Sequence, residues 1–285
     1  MQKILFVGLG RMGSNMATHI AALPGYEVAV HNRSPEKITA WLKSNAGAAY
    51  SAGERYQVIA LCIGNDEDVS GQLLEAGLLR QLEPQGVVID HTTTSANLAH
   101  VMNKAVAEAG GHYLDAPVSG GEAGAVNGTL SCMVGGDESA LQSVQPILQA
   151  YCANIVHIGE SGAGQIAKMA NQFCVAGVVA GLAEAVQLVK REGVDPDKVY
   201  QAISGGAAQS WQMDNRFANM VDDEFDFGFA IDHMIKDLGY AIEHAAAQGW
   251  QPQMVSMVNQ WYQALSAEGR STQDTSVLVK HYDSA

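Results

Sequence analysis

Along the first part of the chain, short unbroken apolar runs alternate with longer stretches in which apolar residues return every three or four positions. Ile4, Leu5, Phe6 and Val7 follow one another without a polar break, and comparable runs occupy residues 27–31, 58–63, 87–90 and 113–114. A strand with one wet face would alternate, so these runs predict strands buried on both faces of a parallel sheet. Met12, Met16 and Ile20 repeat at helical spacing and stop near Leu23-Pro24-Gly25, and residues 35–45 and 96–109 read the same way. Strands alternating with helices predict a doubly wound parallel sheet. Runs at 129–134 and 154–158 flank a further helix, for which Asp137 is a fitting N-cap, and extend that sheet.

After Gly159-Glu160-Ser161-Gly162-Ala163-Gly164 the strand signals cease. From 165 to about 192 runs one small-residue-rich helical stretch without proline, ending at Gly193. Asp195-Pro196 then supplies an N-cap and a proline at the first helical position. Helical patterns follow at 229–248, 252–268 and 275–282, the last capped by Asp274. Two domains are expected: residues 1–160 as the α/β part and 161–285 as an all-α part built on the long inter-domain helix. Val175, Val178, Val179, Leu182, Ala183 and Val186 make that helix apolar nearly all round, which predicts burial on most sides. It reads either as a scaffold shared between domains or subunits or as the core helix of a monomer.

Gly8-Leu9-Gly10-Arg11-Met12-Gly13 stands where the first predicted strand meets the first predicted helix. That context makes a common glycine spacing a dinucleotide-binding fingerprint. Gly8 permits the tight turn, Gly10 lets the backbone approach a pyrophosphate and Gly13 lets helix and strand pack closely, while the helix N-terminus offers N–H donors and positive potential. The fold class is therefore α/β, an N-terminal doubly wound Rossmann domain followed by an all-α C-terminal domain. An NAD-selective site usually has Asp or Glu about 20 residues on, at the end of the second strand. Here that stretch is Val30-His31-Asn32-Arg33-Ser34, without a carboxylate. Arg33 can pair with a 2′-phosphate, Asn32 and Ser34 can donate to it, and Lys37 follows one helical turn later. The expectation is NADP(H), with NAD(H) possible; the alternative is that Arg33 is a solvated loop cation.

From these residues onward the chain resembles the β-hydroxyacid dehydrogenase family, which includes 3-hydroxyisobutyrate dehydrogenases, tartronate semialdehyde reductases and glyoxylate/succinic semialdehyde reductases. The resemblance runs nearly the whole length and begins with the glycine segment continued through Ser14-Asn15-Met16-Ala17. In Asp90-His91-Thr92-Thr93-Thr94 it places Thr93 by the nicotinamide. In Asp115-Ala116-Pro117-Val118-Ser119-Gly120-Gly121, continued by Gly124, Ala125, Gly128, Thr129 and Leu130, it gives Ser119, Gly120 and Gly121 the substrate carboxylate. Two glycines after a serine expose successive N–H groups and make an anion-binding concavity; a plain turn is the alternative. In Gly162-Ala163-Gly164-Gln165-Ile166-Ala167-Lys168-Met169-Ala170-Asn171-Gln172 it makes Lys168 the catalytic residue. In residues 227–238, ending Lys236-Asp237-Leu238, it brings Lys236 to the cofactor from the helical domain, with Phe229 a weaker candidate for the cleft wall.

Lys168, Asn171 and Gln172 stand at i, i+3 and i+4 and share one helix face. Burial and the positive helix end lower a lysine pKa towards the range useful for proton transfer; a lysine snorkelling to solvent is the alternative. Asn171, with Gln172, is assigned to position the substrate oxygen and Lys168. Asp237 either orients Lys236 or is a helix-surface carboxylate, and the second reading is preferred. The sequence also departs from the family. Where a Leu-Pro pair is common it has Cys62-Ile63-Gly64-Asn65-Asp66, so the contacts of Asn65, kept as a cofactor candidate, and of Asp66 differ from the usual pattern. His91 replaces a residue often apolar or sulfur-bearing, implying a more polar cofactor pocket.

Composition narrows the partners. Lys plus Arg number 16 against 30 Asp plus Glu, a formal charge of -14, which disfavours a nucleic-acid surface. Only 16% of residues are charged and 30 are glycine, a profile that goes with tight packing and subunit contacts, hence a homodimer or homotetramer. The four cysteines form no CxxC pair and read as reduced core residues; the nine histidines show no ligand grouping, so no metal is expected. No membrane span is expected, and Met1-Gln2-Lys3 leads straight into a strand, leaving no room for a signal peptide; the expected place is the cytoplasm. The expected reaction interconverts a short 3-hydroxy acid and its semialdehyde. A regulatory nucleotide-binding protein without catalysis, or a reductase of C=N bonds, are the other readings, and Lys168 argues against both. Trp211, Met213, Phe229 and Met234 are candidate cleft-wall residues, each equally plausible as core.

Overall fold

A computed structural model describes residues 1–283. It divides into two compact units, Met1–Lys168 and a second beginning at Met169. The first holds β1 (Gln2–Val7), α1 (Gly13–Ala21), β2 (Tyr26–His31), α2 (Pro35–Leu42), β3 (Ala48–Ala49), β4 (Tyr56–Leu61), α3 (Asp66–Ser70), β5 (Leu82–Asp90), α4 (Ala96–Glu108), β6 (His112–Asp115), β7 (Val118–Ser119), α5 (Gly121–Asn127), β8 (Leu130–Gly136), α6 (Glu138–Leu148) and β9 (Cys152–Gly159). Between α3 and β5 lie one π turn, Gly71–Glu75, and one 3₁₀ turn, Leu78–Gln81. Neither these turns nor β3, α3 and α5 show in the apolar pattern, because none is long enough to display a period.

The strand order is β3-β2-β1-β4-β5-β6-β8-β7, with β9 beside β8. Pairing from β3 through β6 is parallel, as the unbroken apolar runs predict. Side chains alternate across the sheet, so Ile4 and Phe6 join α1 and α6 in one core, while Leu5 and Val7 join α4 in another. The parallel expectation fails at β8, which runs antiparallel to β6 and β7. The pairs Leu114–Gly136, Asp115–Gly135, Val118–Cys132 and Ser119–Ser131 keep one register. Thus β6 and β7 are one strand interrupted at Pro117, and α5 is the tip of a hairpin. A parallel return needs a crossover of a dozen or more residues, which the seven-residue α5 cannot supply.

The remaining helices are α7 (Ala163–Glu192), α8 (Pro196–Ile203), α9 (Trp211–Asp222), α10 (Ile231–Ala247) and α11 (Gln253–Leu265), closed by a 3₁₀ turn at Thr275–Tyr282. In the second unit Ala176, Val179, Ala183 and Val186 of α7 pack with Phe217, Met234, Leu238, Val258 and Tyr262. The expected caps are in place: Asp137 accepts from Ala140 N–H, Asp195 from Asp197 and Lys198 N–H, and Asp274 from Ser276 N–H. Asp274 also accepts from Phe229 N–H at 2.8 Å and pairs with Arg216 at 2.8 Å.

Two expectations need correcting. By length and composition α7 is apolar enough to cross a membrane, contrary to the sequence reading, and half of that stretch is buried within the fold. Its burial is also one-sided, since Val178 and Leu188 are exposed. All four cysteines are free, but only Cys132 and Cys152 are core; Cys62 is half-buried and Cys174 lies exposed on α7.

Candidate active site

The glycine fingerprint is explained atom by atom. Gly8 has φ 101°, and a Cβ there would lie 2.2 Å from Cys62 O. A Cβ on Gly13 would lie 2.0 Å from Gly8 O, whereas one on Gly10 would meet nothing within 4 Å. Gly8 and Gly13 are therefore required by packing, and Gly10 keeps open the space in front of the loop. No side chain caps α1, and its first turn has no acidic residue, so its positive end faces outward uncompensated by a carboxylate of its own. Asn32, expected as a phosphate donor, is engaged in the loop itself. Its Oδ1 accepts from Leu9 N–H at 2.8 Å and its Nδ2 donates to Ser34 O at 3.2 Å, so it fixes the loop's shape. Arg33 is exposed, and Ser34 occupies the N-cap position of α2 without making a cap bond. Arg11 stands 3.8 Å from Glu122 at the start of α5.

The segment carrying Thr93 is held from several sides. Ile63 N–H donates to Thr92 Oγ1 at 3.2 Å, and Thr92 N–H donates to Asp90 Oδ1 at 2.9 Å. Ser95 gives its N–H and hydroxyl to the two oxygens of Asp66 at 2.9 and 2.6 Å. Gln165, buried in the first turn of α7, accepts from Thr94 N–H at 3.1 Å and donates from Nε2 to Thr92 O at 2.8 Å. Asn65 accepts from Asp68 N–H at 2.9 Å and is the N-cap of α3.

Two buried carboxylates lie side by side at the ends of β5 and β6, where Asp90 and Asp115 are register partners. Burial pushes Asp90 up to about 6, against the bonds it accepts from Thr92 and Tyr113. Burial also raises Asp115, opposed by backbone N–H groups at the start of α7. Gly162 N–H reaches Asp115 Oδ1 at 2.7 Å and Gln165 N–H reaches Oδ2 at 3.0 Å, so Asp115 caps that helix from another element. The fit is tight: a Cβ on Gly164 would lie 2.4 Å from Asp115 O.

One turn into α7, Lys168 is 7% exposed and its Nζ donates to Val118 O at 2.9 Å. Val118 precedes Ser119, Gly120 and Gly121, and the two glycines have φ 128° and 62°. The structure thus brings the lysine to the segment expected to bind a carboxylate. His91 does not make a pocket polar. It is buried, with Nδ1 donating to Ala116 O at 2.7 Å and Nε2 accepting from Tyr151 Oη at 2.8 Å, and burial lowers it to about 4.

In the second unit Asn171, Gln172, Asp237 and Lys236 form a chain. Asn171 Nδ2 donates to Gln172 Oε1 at 2.8 Å, Gln172 Nε2 donates to Asp237 Oδ2 at 2.7 Å, and Lys236 Nζ stands 3.0 Å from Asp237 Oδ1. Asp237 is 3% exposed, which overturns its reading as a surface carboxylate. Among the expected wall residues Met213 and Met234 are core, Phe229 is half-buried, and exposed Trp211 stacks on Arg216 at 5.0 Å. For Gln165 and Asp115 the only sequence signal is a polar side chain in an otherwise apolar or small-residue stretch, whereas Asp237, beside Lys236, carries the less favoured of its two readings, that it orients that lysine.

A family model described as the NAD binding domain of 6-phosphogluconate dehydrogenase matches residues 3–159, and one described as NAD-binding of NADP-dependent 3-hydroxyisobutyrate dehydrogenase matches 162–282. The 2-hydroxy-3-oxopropionate reductase of Escherichia coli is 33% identical, covering 98% of this chain and 96% of that protein. The NAD-dependent L-serine dehydrogenase of Pseudomonas aeruginosa is 33% identical over 99% of this chain and 98% of its own. A solved 3-hydroxyisobutyrate dehydrogenase from Mycobacterium tuberculosis, determined with L-serine, superposes with a TM-score of 0.88 at 29% identity, covering 98% of each chain. The chain belongs to the β-hydroxyacid dehydrogenase family and is an NAD(P)-dependent oxidoreductase of the 3-hydroxyisobutyrate dehydrogenase type, acting on CH–OH groups.

Proposed function

We propose that the protein is an NADP(H)-preferring β-hydroxyacid dehydrogenase or semialdehyde reductase that interconverts a short 3-hydroxy acid and its semialdehyde, with Lys168 as general acid and base. The observation that carries this reading is the 2.9 Å bond from Lys168 Nζ to Val118 O. It anchors a buried cation one residue from Ser119, Gly120 and Gly121, whose backbone suits an anionic group such as a substrate carboxylate. In reduction Lys168 gives a proton to the carbonyl oxygen, and in oxidation it takes one from the hydroxyl. Asn171 orients the substrate oxygen, with Gln172 beside it.

The residues fit a nicotinamide dinucleotide. When bound, that cofactor supplies or accepts the hydride. Gly8, Leu9, Gly10, Arg11, Met12 and Gly13 take the pyrophosphate on a loop with open space before Gly10. Arg33 and Ser34, with no carboxylate at the end of β2, suit a 2′-phosphate. Asn32 serves the site by shaping the loop and Asn65 by capping α3. Thr93 and Lys236 complete the cofactor set.

Val178 and Leu188 of α7 and Met254 and Met257 of α11 are exposed apolar side chains available to a second copy of the chain, in keeping with a homodimer or homotetramer. Four free thiols accord with the cytoplasm. We place the domain division at 160/161, ahead of α7.

The test is a panel of short semialdehydes and 3-hydroxy acids assayed with both cofactors. Wild-type protein should act on members of the panel with NADPH preferred, and Lys168→Ala should lose at least about a hundredfold in turnover while still binding NADPH. Inactivity on the whole panel rejects the reaction, and wild-type turnover in Lys168→Ala rejects the role of the lysine.

A further inference from the structure

Thr93 and Lys168 sit on separate elements, and one side chain joins them. Gln165 is fully buried, one helical turn before Lys168. Its amide closes both polar groups on either side of Thr93, taking Thr94 N–H at 3.1 Å and giving to Thr92 O at 2.8 Å. Its backbone N–H is fixed in turn by Asp115 Oδ2 at 3.0 Å. The amide cannot be reversed without losing both bonds, because the oxygen faces a donor and the nitrogen an acceptor. Asp115 and Gln165 therefore lock the first turn of α7 to the ends of β5 and β6. From that turn Lys168 reaches Val118 O.

We propose that Gln165 is a positioning residue for the reaction: by clamping the Thr92–Thr94 backbone to the helix that carries Lys168, it sets the separation between the nicotinamide side of the site and the proton donor. This rests on the roles given to Thr93 and Lys168 under the proposed function. Hydride and proton transfer to one carbonyl need both partners placed together, and a displacement of about 1 Å can cost about a hundredfold in rate. Binding of the cofactor through its pyrophosphate and ribose depends on the glycine loop and β2, which Gln165 does not touch.

The test uses the full-length protein with NADPH and the best semialdehyde from the panel. Gln165→Met keeps the length and volume but makes neither bond; Gln165→Glu, assayed at a pH where the new carboxyl is ionised, keeps the acceptor for Thr94 N–H and loses the donor to Thr92 O. Gln165→Met should lower kcat at least about tenfold, with the NADPH dissociation constant from fluorescence titration changed less than about threefold. Gln165→Glu should fall in kcat as well. The primary deuterium isotope effect on kcat, measured with NADPH deuterated on the transferred face, should equal or exceed the wild-type value because hydride transfer has slowed. Wild-type kcat in a folded Gln165→Met overturns the inference, as does a lowered kcat whose isotope effect collapses to unity. If Gln165→Met fails to fold, Gln165→Glu decides by the same two readouts. A wild-type protein inactive on the whole panel would instead overturn the proposed function.

Discussion

His91 offers a quantitative test of the buried site frame, through acid. It is buried, with Nδ1 donating to Ala116 O and Nε2 accepting from Tyr151 Oη, and burial lowers it from 6.5 to about 4 against the bond to Ala116, which favours the protonated ring. Each pH unit between the two values is worth about 1.4 kcal/mol. The unfolded chain binds a proton here below 6.5, while the native chain does not until about 4. The contribution is therefore complete above 6.5 and is lost as pH falls towards 4, a loss of about 3 kcal/mol. Asp90, next in sequence, acts in the opposite sense. Raised from 3.8 to about 6, it takes up its proton earlier in the native state, so acidification between those values favours folding by about 3 kcal/mol. Between pH 6 and 4 the two largely cancel, and the wild type should show little net dependence from this pair. His91→Gln should therefore become relatively more stable as pH falls through that range, and Asp90→Asn relatively less stable, each departing from wild type by up to about 3 kcal/mol. Hydrogen exchange of the central-strand amides of Val88 and Ile89, corrected for intrinsic rates, reads the opening of the sheet. Parallel pH profiles for His91→Gln and wild type would refute the reasoning.

Further tests bear on the cofactor loop and the helical unit. Gly13→Ala places a Cβ 2.0 Å from Gly8 O and should destabilise by at least about 1–3 kcal/mol in thermal or urea unfolding. Gly10→Ala meets no protein atom and should unfold like wild type yet bind NADPH more weakly; unchanged affinity would remove the loop from the pyrophosphate. Arg33→Ala should raise the KM for NADPH about tenfold or more, the worth of a charged hydrogen bond, and leave that for NADH nearly unchanged; equal effects on both would reject the 2′-phosphate contact. Asp237→Leu leaves the Gln172 amide without its acceptor and should cut kcat/KM at least about tenfold, whereas Asp237→Asn, which keeps an oxygen, should retain more activity; equal losses would show that the charge opposite Lys236 matters instead.

The strands of the parallel part were legible because burial on both faces leaves an unmistakable run, as at Ile4 to Val7. The caps at Asp137, Asp195 and Asp274 were legible because their chemistry is local. The direction of β8 was not, since an apolar run carries no sign of which way it lies beside its neighbour; only the shortness of the link through α5 encoded it. The tight turn at Gly8 and the close packing at Gly13 were legible because their constraint lies within six positions. Gln165 escaped, and Asp237 was given to the surface, because what buries them is distant: Gln165 bonds to residues 71 and 73 positions away, and Asp237 to Gln172, 65 away. His91 misled for the same reason, its partner Tyr151 lying 60 positions on.

The capping of α7 by Asp115 also has a consequence for the order of events during synthesis. The carboxylate belongs to β6, while the N–H groups that satisfy it come from Gly162 and Gln165, after the last strand. A nascent chain that has only just released β9 from the ribosome lacks both the N–H groups that satisfy Asp115 and the turn that covers it, so the carboxyl is left to water at the end of β6. The sheet can settle only when the first turn of α7 has emerged, so the helix that carries Lys168 is also the latch that closes the Rossmann domain.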